Sequence, residues 1–412
     1  MNEVKVCLEN SPKVHIEKDQ FKQIFRDHWL LFKNTHPRYN TVYYDQVINK
    51  MLDCGDPQKM GYLGFRCMKC GLFHAIAMTC KSTFCLSCAK PYTENWIDFI
   101  GRRLIPNVVY RHTILTVPDF LRIYFYRHRT LLDPFMKIAQ SCLKDVFKTA
   151  FAVELDIGLV VVLQTFGRPG NYNPHLHIIT SSGGITKEEK WKTISYIPYD
   201  ILHHKWQYYL LNFMKEHLPK TLALKRDIKR GWKHYPKGFV AHIQKGDVPK
   251  GGKGLAKYLA KYVVSPPISV RRIESYDGTN VRYWYNDHKS GKIQHETLPA
   301  IRFIGRMVQH ILPKGFQRIR YYGFHSNSRY ERNRSAPPSS FPFYWCCALL
   351  EQLCYGSSRN WWGIVAASSF RDDMCQIIPW RDLSFTTGLY DAGQKCKNTA
   401  ALWGASSIRN SP

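Results

Sequence analysis

The chain has 412 residues, enough for two or three domains with cores of their own, and a formal net charge of +28 from 59 lysines and arginines against 31 acidic residues. This excess favours a polyanionic partner, nucleic acid first, over a basic protein without a nucleic-acid role. No apolar run reaches the roughly 20 residues that span a bilayer, and residues 1–20 hold no apolar signal region, so the sequence excludes a membrane protein and predicts a cytoplasmic one. Its 13 cysteines are therefore expected to be metal ligands or free thiols rather than disulfides.

The N-terminal part is predicted to be flexible over residues 1–20 and helical after that. Apolar residues recur at three- and four-residue steps from Phe21 to Phe32, which predicts one helix, and the pattern at 43–52 predicts a second. Both helices are expected to serve packing rather than chemistry.

The next segment, residues 54–88, holds six of the 13 cysteines. Two CxxC pairs, Cys67/Cys70 and Cys85/Cys88, are separated by 14 residues. Each pair lets two thiolates converge on one ion, and two pairs complete a tetrahedral Zn²⁺ site. A redox-active CxxC pair is the alternative interpretation.

Cys54 and Cys80 of the same segment remain as further candidate zinc ligands, with His74 nearby. They either belong to a second site or replace one of the paired cysteines, and the spacing leaves both arrangements open. Because the segment is too small and polar to form its own core, zinc is expected to supply its folding energy.

The middle of the chain predicts alternating strands and helices. Apolar and β-branched runs predict strands, and longer periodic segments predict helices, in this order: strand 108–117, helices near 119–130 and 132–150, strand 159–166, loop 167–171 and a strand from 174. Strand, helices, strand, strand is the order of an α+β domain with an antiparallel sheet. A helix at 201–217 and a strand at 239–243 follow.

Two histidines, His175 and His177, flank Leu176 in the strand after the loop. Residues i and i+2 of a strand face the same side, so both imidazoles are expected to project together while Leu176 enters the core. Such a pair suits a divalent metal ion, although two ordinary strand histidines are the plainer interpretation. Gln164, near the end of the preceding strand, is the candidate third ligand. The weaker candidates for that position are His242 and Asn173.

A strongly basic stretch runs from residue 220 to residue 261, with 12 lysines and arginines against two aspartates. A solvated basic face is the plain interpretation, but its position favours a groove that follows a nucleic-acid backbone. The candidate DNA-binding residues within it are Lys253, Lys257 and Lys261. The aromatic content of 14% would suit unstacked bases of single strands.

The same stretch ends in a predicted helix from Leu255 to Val264, introduced by glycines and ended by Pro266 and Pro267. Tyr258 and Tyr262 are four residues apart, so they share one helix face with about 6 Å between their Cβ atoms. Taken alone, a tyrosine pair at this spacing is more often core packing than chemistry.

The last third is predicted to contain three short strands, at 268–273, 281–286 and 292–295, then a helix at 299–311 and a basic aromatic strand at 316–324. This block either packs behind the central domain or stacks unpaired bases. Beyond a Pro- and Ser-rich linker, residues 331–412 show no clear pattern and stay an unassigned tail.

The order of three motifs, the cysteine-rich segment, the His-x-His strand and the Tyr-x-x-x-Tyr helix, resembles the HUH nucleases, in particular the two-tyrosine rolling-circle transposases of the insertion-sequence-91 family. The resemblance runs from about residue 20 to about residue 330. It implies a helical and cysteine-rich zinc-binding domain at 21–100. A catalytic domain at 101–330 would follow, an α+β ferredoxin-like palm with an antiparallel sheet.

The resemblance also implies a DNA transposase with HUH endonuclease activity, which nicks and rejoins single-stranded DNA at transposon ends. Tyr258 or Tyr262 would attack phosphorus and leave a 5′-phosphotyrosine and a free 3′-OH, while His175 and His177 hold Mg²⁺ or Mn²⁺. The alternatives are a plasmid replication initiator or relaxase with the same chemistry, and a non-catalytic zinc-dependent DNA-binding protein.

One departure concerns the residue before Pro174. Some relatives place a further histidine there, whereas this chain has Asn173, which leaves the number of metal ligands open.

Overall fold

The computed structural model describes residues 19–67, 70–105, 108–243, 257, 266–287, 290–330 and 375–378. With these gaps, the chain forms a smaller compact unit that includes residues 49–80 and 375–378, and a larger one over residues 20–48 and 81–330. Within the described ranges, every helix is too short or too polar to cross a membrane.

The chain begins with two helices, α1 (Gln20–Thr35) and α2 (Val42–Leu52), separated by a 3₁₀ turn at Pro37–Tyr39. The apolar residues that predicted α1 are buried along one face: Phe21, Ile24, Phe25, Trp29 and Phe32. Both predicted helices are therefore present.

The smaller unit contains a short helix and a small antiparallel sheet. Its elements are α3 (Pro57–Met60), β1 (Tyr62–Cys67) and β2 (Phe73–Ala77). A strand at Cys375–Ile378 pairs with the other edge of β1. The Asp56 side chain accepts a hydrogen bond from the backbone N–H of Gln58 (2.9 Å), which caps α3.

Up to residue 243, the described part of the larger unit continues with these helices and strands: α4 (Ala89–Arg103), β3 (Tyr110–Thr116), α5 (Asp119–Arg127), α6 (Leu132–Phe151), β4 (Asp156–Phe166), β5 (Tyr172–Ile185), β6 (Trp191–Thr193), α7 (Tyr199–His217), α8 (Leu222–His234) and β7 (Ala241–Ile243). From residue 266 onwards, the described residues form β8 (Ile273–Tyr276), β9 (Asn280–Asn286), β10 (Ile293–Pro299), α9 (Ala300–Val308) and β11 (Ile319–Tyr322).

The main sheet, here called the palm sheet, has the strand order β11-β4-β5-β3-β7, with β6 beside the far end of β5, and all its pairings are antiparallel. Helices cover both of its faces. Leu159, Val161 and Leu163 of β4 pack into the core formed with α5 to α8, whereas Val160 and Val162 face α4. Burial on both faces explains why β4 is a continuous β-branched run rather than an alternating one.

A second antiparallel sheet, in the order β10-β9-β8, lies in the same unit and carries α1 and α9. The rings of Phe21 and Phe303 are 6.4 Å apart between centroids, and the Tyr276 hydroxyl donates to Asp27 (2.8 Å). The N-terminal helix therefore packs against residues that lie more than 200 positions later.

The α+β fold with an antiparallel sheet is confirmed, and so is the order of the predicted palm elements. Two predictions near the palm differ from the structure. The strand expected at 268–273 begins at Ile273, because Val270–Arg272 form a 3₁₀ turn. The helix α8 was not predicted, because Leu224, Ile228 and Trp232 supply one apolar residue per turn in a segment dominated by lysine and arginine. The proposed domain boundaries stay a prediction.

Candidate active site and cysteine cluster

The predicted histidine pair lies in β5, beside β4. Their register places Gln164 opposite His175 and Val162 opposite His177. Leu176, between the two histidines, is fully buried in the core on the opposite face, as the strand period requires. The antiparallel pairing thus brings Gln164 to the face that carries both imidazoles.

The donor atoms of these three side chains converge. His175 Nε2 lies 3.1 Å from His177 Nε2, which in turn lies 3.1 Å from Gln164 Oε1. All three residues are buried. We call Gln164, His175 and His177 the histidine–glutamine cluster.

The ring of His175 is oriented by its own strand. His175 Nδ1 lies 2.7 Å from the carbonyl oxygen of Asn173. Because a carbonyl only accepts, Nδ1 carries the proton and Nε2 presents its lone pair to the cluster. Asn173 therefore acts through its backbone in this contact, whereas the sequence had offered its side chain as a weaker ligand.

His112 of β3 completes the site, and sequence reasoning missed it. His112 Nε2 lies 2.9 Å from His177 Nδ1, and the two rings stack with centroids 5.1 Å apart. The signal in the sequence was a histidine within a predicted strand, but only the register between β3 and β5 shows that it meets His177.

His242, the other weaker candidate, lies apart from the cluster. It is exposed on β7 and stands opposite Ile114 of β3, which stands opposite His177. Two strand spacings, about 10 Å, therefore separate the backbone of His242 from that of His177.

Burial keeps the cluster neutral. Burial lowers the pKa of His175 to about 4 and that of His177 well below its usual value. The guanidinium of Arg318 lowers the pKa of both histidines further, and that of Arg122 lowers the pKa of His175. A neutral imidazole is the form that binds a metal ion, so two ring nitrogens and one amide oxygen fit a divalent cation.

Both arginines are fixed by backbone contacts near the cluster. Arg318 Nε donates to the carbonyl oxygen of Leu163 (3.0 Å), next to Gln164, and Arg122 Nε donates to that of Val117 (3.0 Å), at the end of β3. They place positive charge beside the cluster, as their effect on the pKa of the two histidines shows.

The β4–β5 loop is held by a glycine with a left-handed backbone conformation. Gly170 has φ of +78°, and its carbonyl oxygen lies 2.9 Å from His310 Nε2 and 3.1 Å from Gln309 Nε2. The predicted loop 167–171 is thus tied to the segment after α9, which fixes the hairpin that carries the cluster.

Four buried cysteines converge elsewhere in the chain. The sulfur atoms of Cys54, Cys80, Cys85 and Cys88 all lie within 4.8 Å of one another. The backbone N–H of Cys80 also points at Cys54 Sγ (3.3 Å). Four thiolates in a buried group are the ligand set of a tetrahedral structural zinc site. We call these residues the cysteine cluster.

The structure groups the second CxxC motif with cysteines other than those of the first motif, and the zinc ligands themselves stay a prediction. It brings Cys85 and Cys88 together with Cys54 and Cys80, not with Cys67 and Cys70. The reason is local: the first motif closes the β1–β2 hairpin, where the Cys67 N–H donates to Leu72 (2.8 Å). Cys67 is buried at the end of β1, and Cys70 is exposed.

Part of the predicted site lies outside the described residues: Tyr258, Tyr262, Lys253 and Lys261. Lys257 is described and is exposed.

Comparison with known proteins gives two family matches. A model described as "Transposase zinc-binding domain" matches residues 24–117, and one described as "Putative transposase" matches residues 158–333. The comparison with solved structures found no match.

Two curated relatives agree with these matches. The chain is 30% identical over 302 residues to "Transposase for insertion sequence element IS801" of Pseudomonas savastanoi pv. phaseolicola, covering 68% of this chain and 70% of that protein. It is 25% identical over 289 residues to "Putative transposase y4qJ" of Sinorhizobium fredii (strain NBRC 101917 / NGR234), covering 66% of this chain and 71% of that protein.

Fold, clusters and comparisons agree on the class, a transposase, which is a DNA-processing enzyme that binds DNA. Within this class, the chain belongs to the insertion-sequence-91-type transposases, as the order of its motifs predicted. The zinc-binding domain match and the cysteine cluster together support a structural Zn²⁺.

Proposed function

We propose that this transposase nicks and rejoins single-stranded DNA by tyrosine attack, beside a divalent metal ion held by Gln164, His175 and His177. The observation that carries the proposal is the convergence of the three donor atoms on one face of the palm sheet. When bound, Mg²⁺ or Mn²⁺ would polarise the scissile phosphate and take up the charge that develops on it.

The residues around the cluster prepare it for this role. His175 Nε2 presents a lone pair because Nδ1 carries the proton and donates a hydrogen bond to the Asn173 carbonyl oxygen. When His177 Nδ1 donates to His112 Nε2, His177 Nε2 likewise presents its lone pair. His112 therefore acts as a positioning residue for His177. Arg122 and Arg318 would hold the phosphate by charge.

The covalent step uses Tyr258 or Tyr262. The tyrosine oxygen forms a bond to phosphorus, the P–O3′ bond breaks, and the 3′ oxygen leaves as a hydroxyl after taking up a proton. Rejoining reverses the step, since a 3′-OH attacks the phosphotyrosine and restores the tyrosine. Phosphodiester energy is conserved in the protein–DNA bond, so the reaction requires no ATP. The predicted helix would place both tyrosines on one face and so allow two successive strand transfers.

A denaturing gel tests the proposal directly. The protein is mixed with labelled single-stranded oligonucleotides from the ends of its element and Mn²⁺, and covalent adducts are counted. Wild type should form adducts, and the double variant Tyr258→Phe, Tyr262→Phe should form none while DNA binding stays within about threefold, since only hydroxyl groups are lost. Adducts that persist in the double variant would remove the tyrosines from the mechanism.

The cysteine cluster is proposed as the structural zinc site of the same protein. Its ligands would be Cys54, Cys80, Cys85 and Cys88, which form a closed four-sulfur set. A closed set leaves no open coordination position for a substrate, so the role of this zinc would be folding rather than catalysis.

A further inference from the structure

Helix α8 presents a row of cations to solvent. Its sequence holds five lysines and arginines, all of them exposed: Lys225, Arg226, Lys229, Arg230 and Lys233. At 100° per residue, these five fall within about 140° of the helix circumference. The row is about 12 Å long, because it spans eight residues at about 1.5 Å each.

The opposite face fixes the helix to the palm. Leu224 and Ile228 are buried in the main core, and the Thr221 side chain accepts from the N–H of Leu224 (3.2 Å), which caps the helix. Asp227, the acidic residue of α8, accepts from the Tyr124 hydroxyl (2.7 Å) on α5. The carboxylate is thus turned towards α5 rather than towards the cations, so the row carries one sign of charge.

The composition of the row distinguishes between two kinds of nucleic acid. A single strand offers bases that need aromatic partners between the cations, whereas a duplex offers its phosphates outward and needs only positive charge. Within α8, the arc that these five cations occupy holds no aromatic side chain, and exposed Trp232 lies about 20° outside it, one turn from Lys229. The ring that one cation does contact, Phe120 beside Arg230, is partly buried against the main core.

We propose that the α8 row binds the phosphate backbone of duplex DNA, as a second DNA contact separate from the single-strand site at the histidine–glutamine cluster. It supplies affinity without reading sequence, because contacts to phosphates carry no base information. The proposal goes beyond the cleavage chemistry and is tested without cleavage.

The test variant is the triple substitution Lys225→Gln, Lys229→Gln, Lys233→Gln. Glutamine keeps helix propensity and length while it removes charge. Arg226 and Arg230 are retained, because the Arg230 guanidinium lies 4.7 Å from the centre of the Phe120 ring and contributes to packing. Binding to a 20-base-pair duplex of arbitrary sequence is followed by fluorescence anisotropy from 0.05 to 0.5 M salt, without added Mg²⁺ or Mn²⁺.

The slope of log affinity against log salt should fall in magnitude by about 2.7, that is about 0.9 for each of three lost phosphate contacts. The affinity should fall roughly 100-fold at 0.15 M salt and converge on wild type towards 1 M. For a 20-nucleotide single strand the loss should stay below about threefold. Metal-dependent adducts on single strands should persist, which separates this proposal from the cleavage proposal.

A matched control removes the same charge elsewhere: Lys137→Gln, Lys190→Gln, Lys292→Gln, three exposed lysines outside α8. It should leave the salt slope near that of wild type. An equal loss of duplex affinity in the control would show that net charge alone sets the affinity. An equal loss of affinity for the single strand would show that α8 does not prefer duplex DNA. Either result overturns the proposal, as does an unchanged slope in a triple variant with the wild-type melting temperature.

Discussion

The histidine–glutamine cluster and the cysteine cluster both gather metal-binding atoms, but the chain builds them in different ways. The first stands on a sheet that is packed on both faces, so its donors are in place through strand pairing alone. The second gathers Cys54, Cys80, Cys85 and Cys88, which lie in turns and loops rather than in paired strands. We therefore expect the catalytic metal ion to bind a site that is already folded. The zinc ion is instead expected to stabilise the folded form of the segment that supplies its ligands.

Removal of zinc should therefore have the largest effect, and only on the cysteine segment. Structural zinc contributes roughly 10–16 kcal/mol in small zinc domains, more than this segment can replace. After treatment with a zinc chelator, trypsin should cut at Lys59, Arg66 and Lys81 while the palm resists. Mass spectrometry of the tryptic fragments compares cleavage in the cysteine segment with cleavage in the palm. Simultaneous loss of palm protection would show that the two regions do not differ in this way.

Single cysteine substitutions test which sulfur atoms bind the zinc ion. Cys85→Ser should lower the bound zinc by one equivalent, because it removes one of four converging sulfurs. Cys70→Ser is the matched control, since Cys70 is an exposed cysteine outside that cluster, and it should leave the cysteine cluster's zinc bound. Atomic absorption of the purified variants measures both. The reverse pattern, with zinc kept in the first variant and lost in the second, would restore the pairing that the sequence predicted.

In the palm, His175→Ala should abolish chemistry without unfolding the protein. Loss of the metal's charge stabilisation, several kcal/mol, should lower metal-dependent cleavage by at least roughly 1000-fold. The control variant is His242→Ala. His242 is exposed and lies two strands away from His177, so this variant should cleave DNA at the wild-type rate. Thermal melting without metal should show a cooperative transition for both variants, with His175→Ala the lower of the two because a buried, hydrogen-bonded ring is removed. Cleavage by His175→Ala at the wild-type rate would remove the cluster from the active site.

The smallest effect is expected at His112. His112→Phe keeps an aromatic ring beside His177 but removes the nitrogen that orients it. Loss of such a supporting contact typically costs about 10- to 100-fold in metal affinity. Mn²⁺ binding followed by electron paramagnetic resonance measures the change, and His112→Gln should recover part of it. Equal Mn²⁺ affinity in His112→Phe and wild type would show that the contact between the His112 and His177 rings contributes packing alone.

The palm could be predicted because its signals are local. Alternation places Leu176 in the core and both histidines on the other face, and an apolar run followed by glycines predicts a strand and its loop. Gln164 could be selected because the two strands are joined by a short loop, which limits the registers they can adopt.

What escaped prediction depends on contacts between distant residues. His112 meets His177 only through the register of β3 on β5, and no spacing in the sequence encodes that register. The cysteine partners were ambiguous for a similar reason, because CxxC spacing shows that two sulfurs can converge but not which second pair joins them. The identity of the attacking tyrosine stays a prediction, since Tyr258 and Tyr262 lie outside the described residues.

The central claim is that the histidine–glutamine cluster binds the catalytic metal, and a crystal soaked in Mn²⁺ tests it most directly. The account predicts an anomalous-scattering peak within bonding distance of Gln164 Oε1, His175 Nε2 and His177 Nε2. A Mn²⁺ ion bound elsewhere in the palm, with this cluster empty at a concentration that supports cleavage, would contradict it.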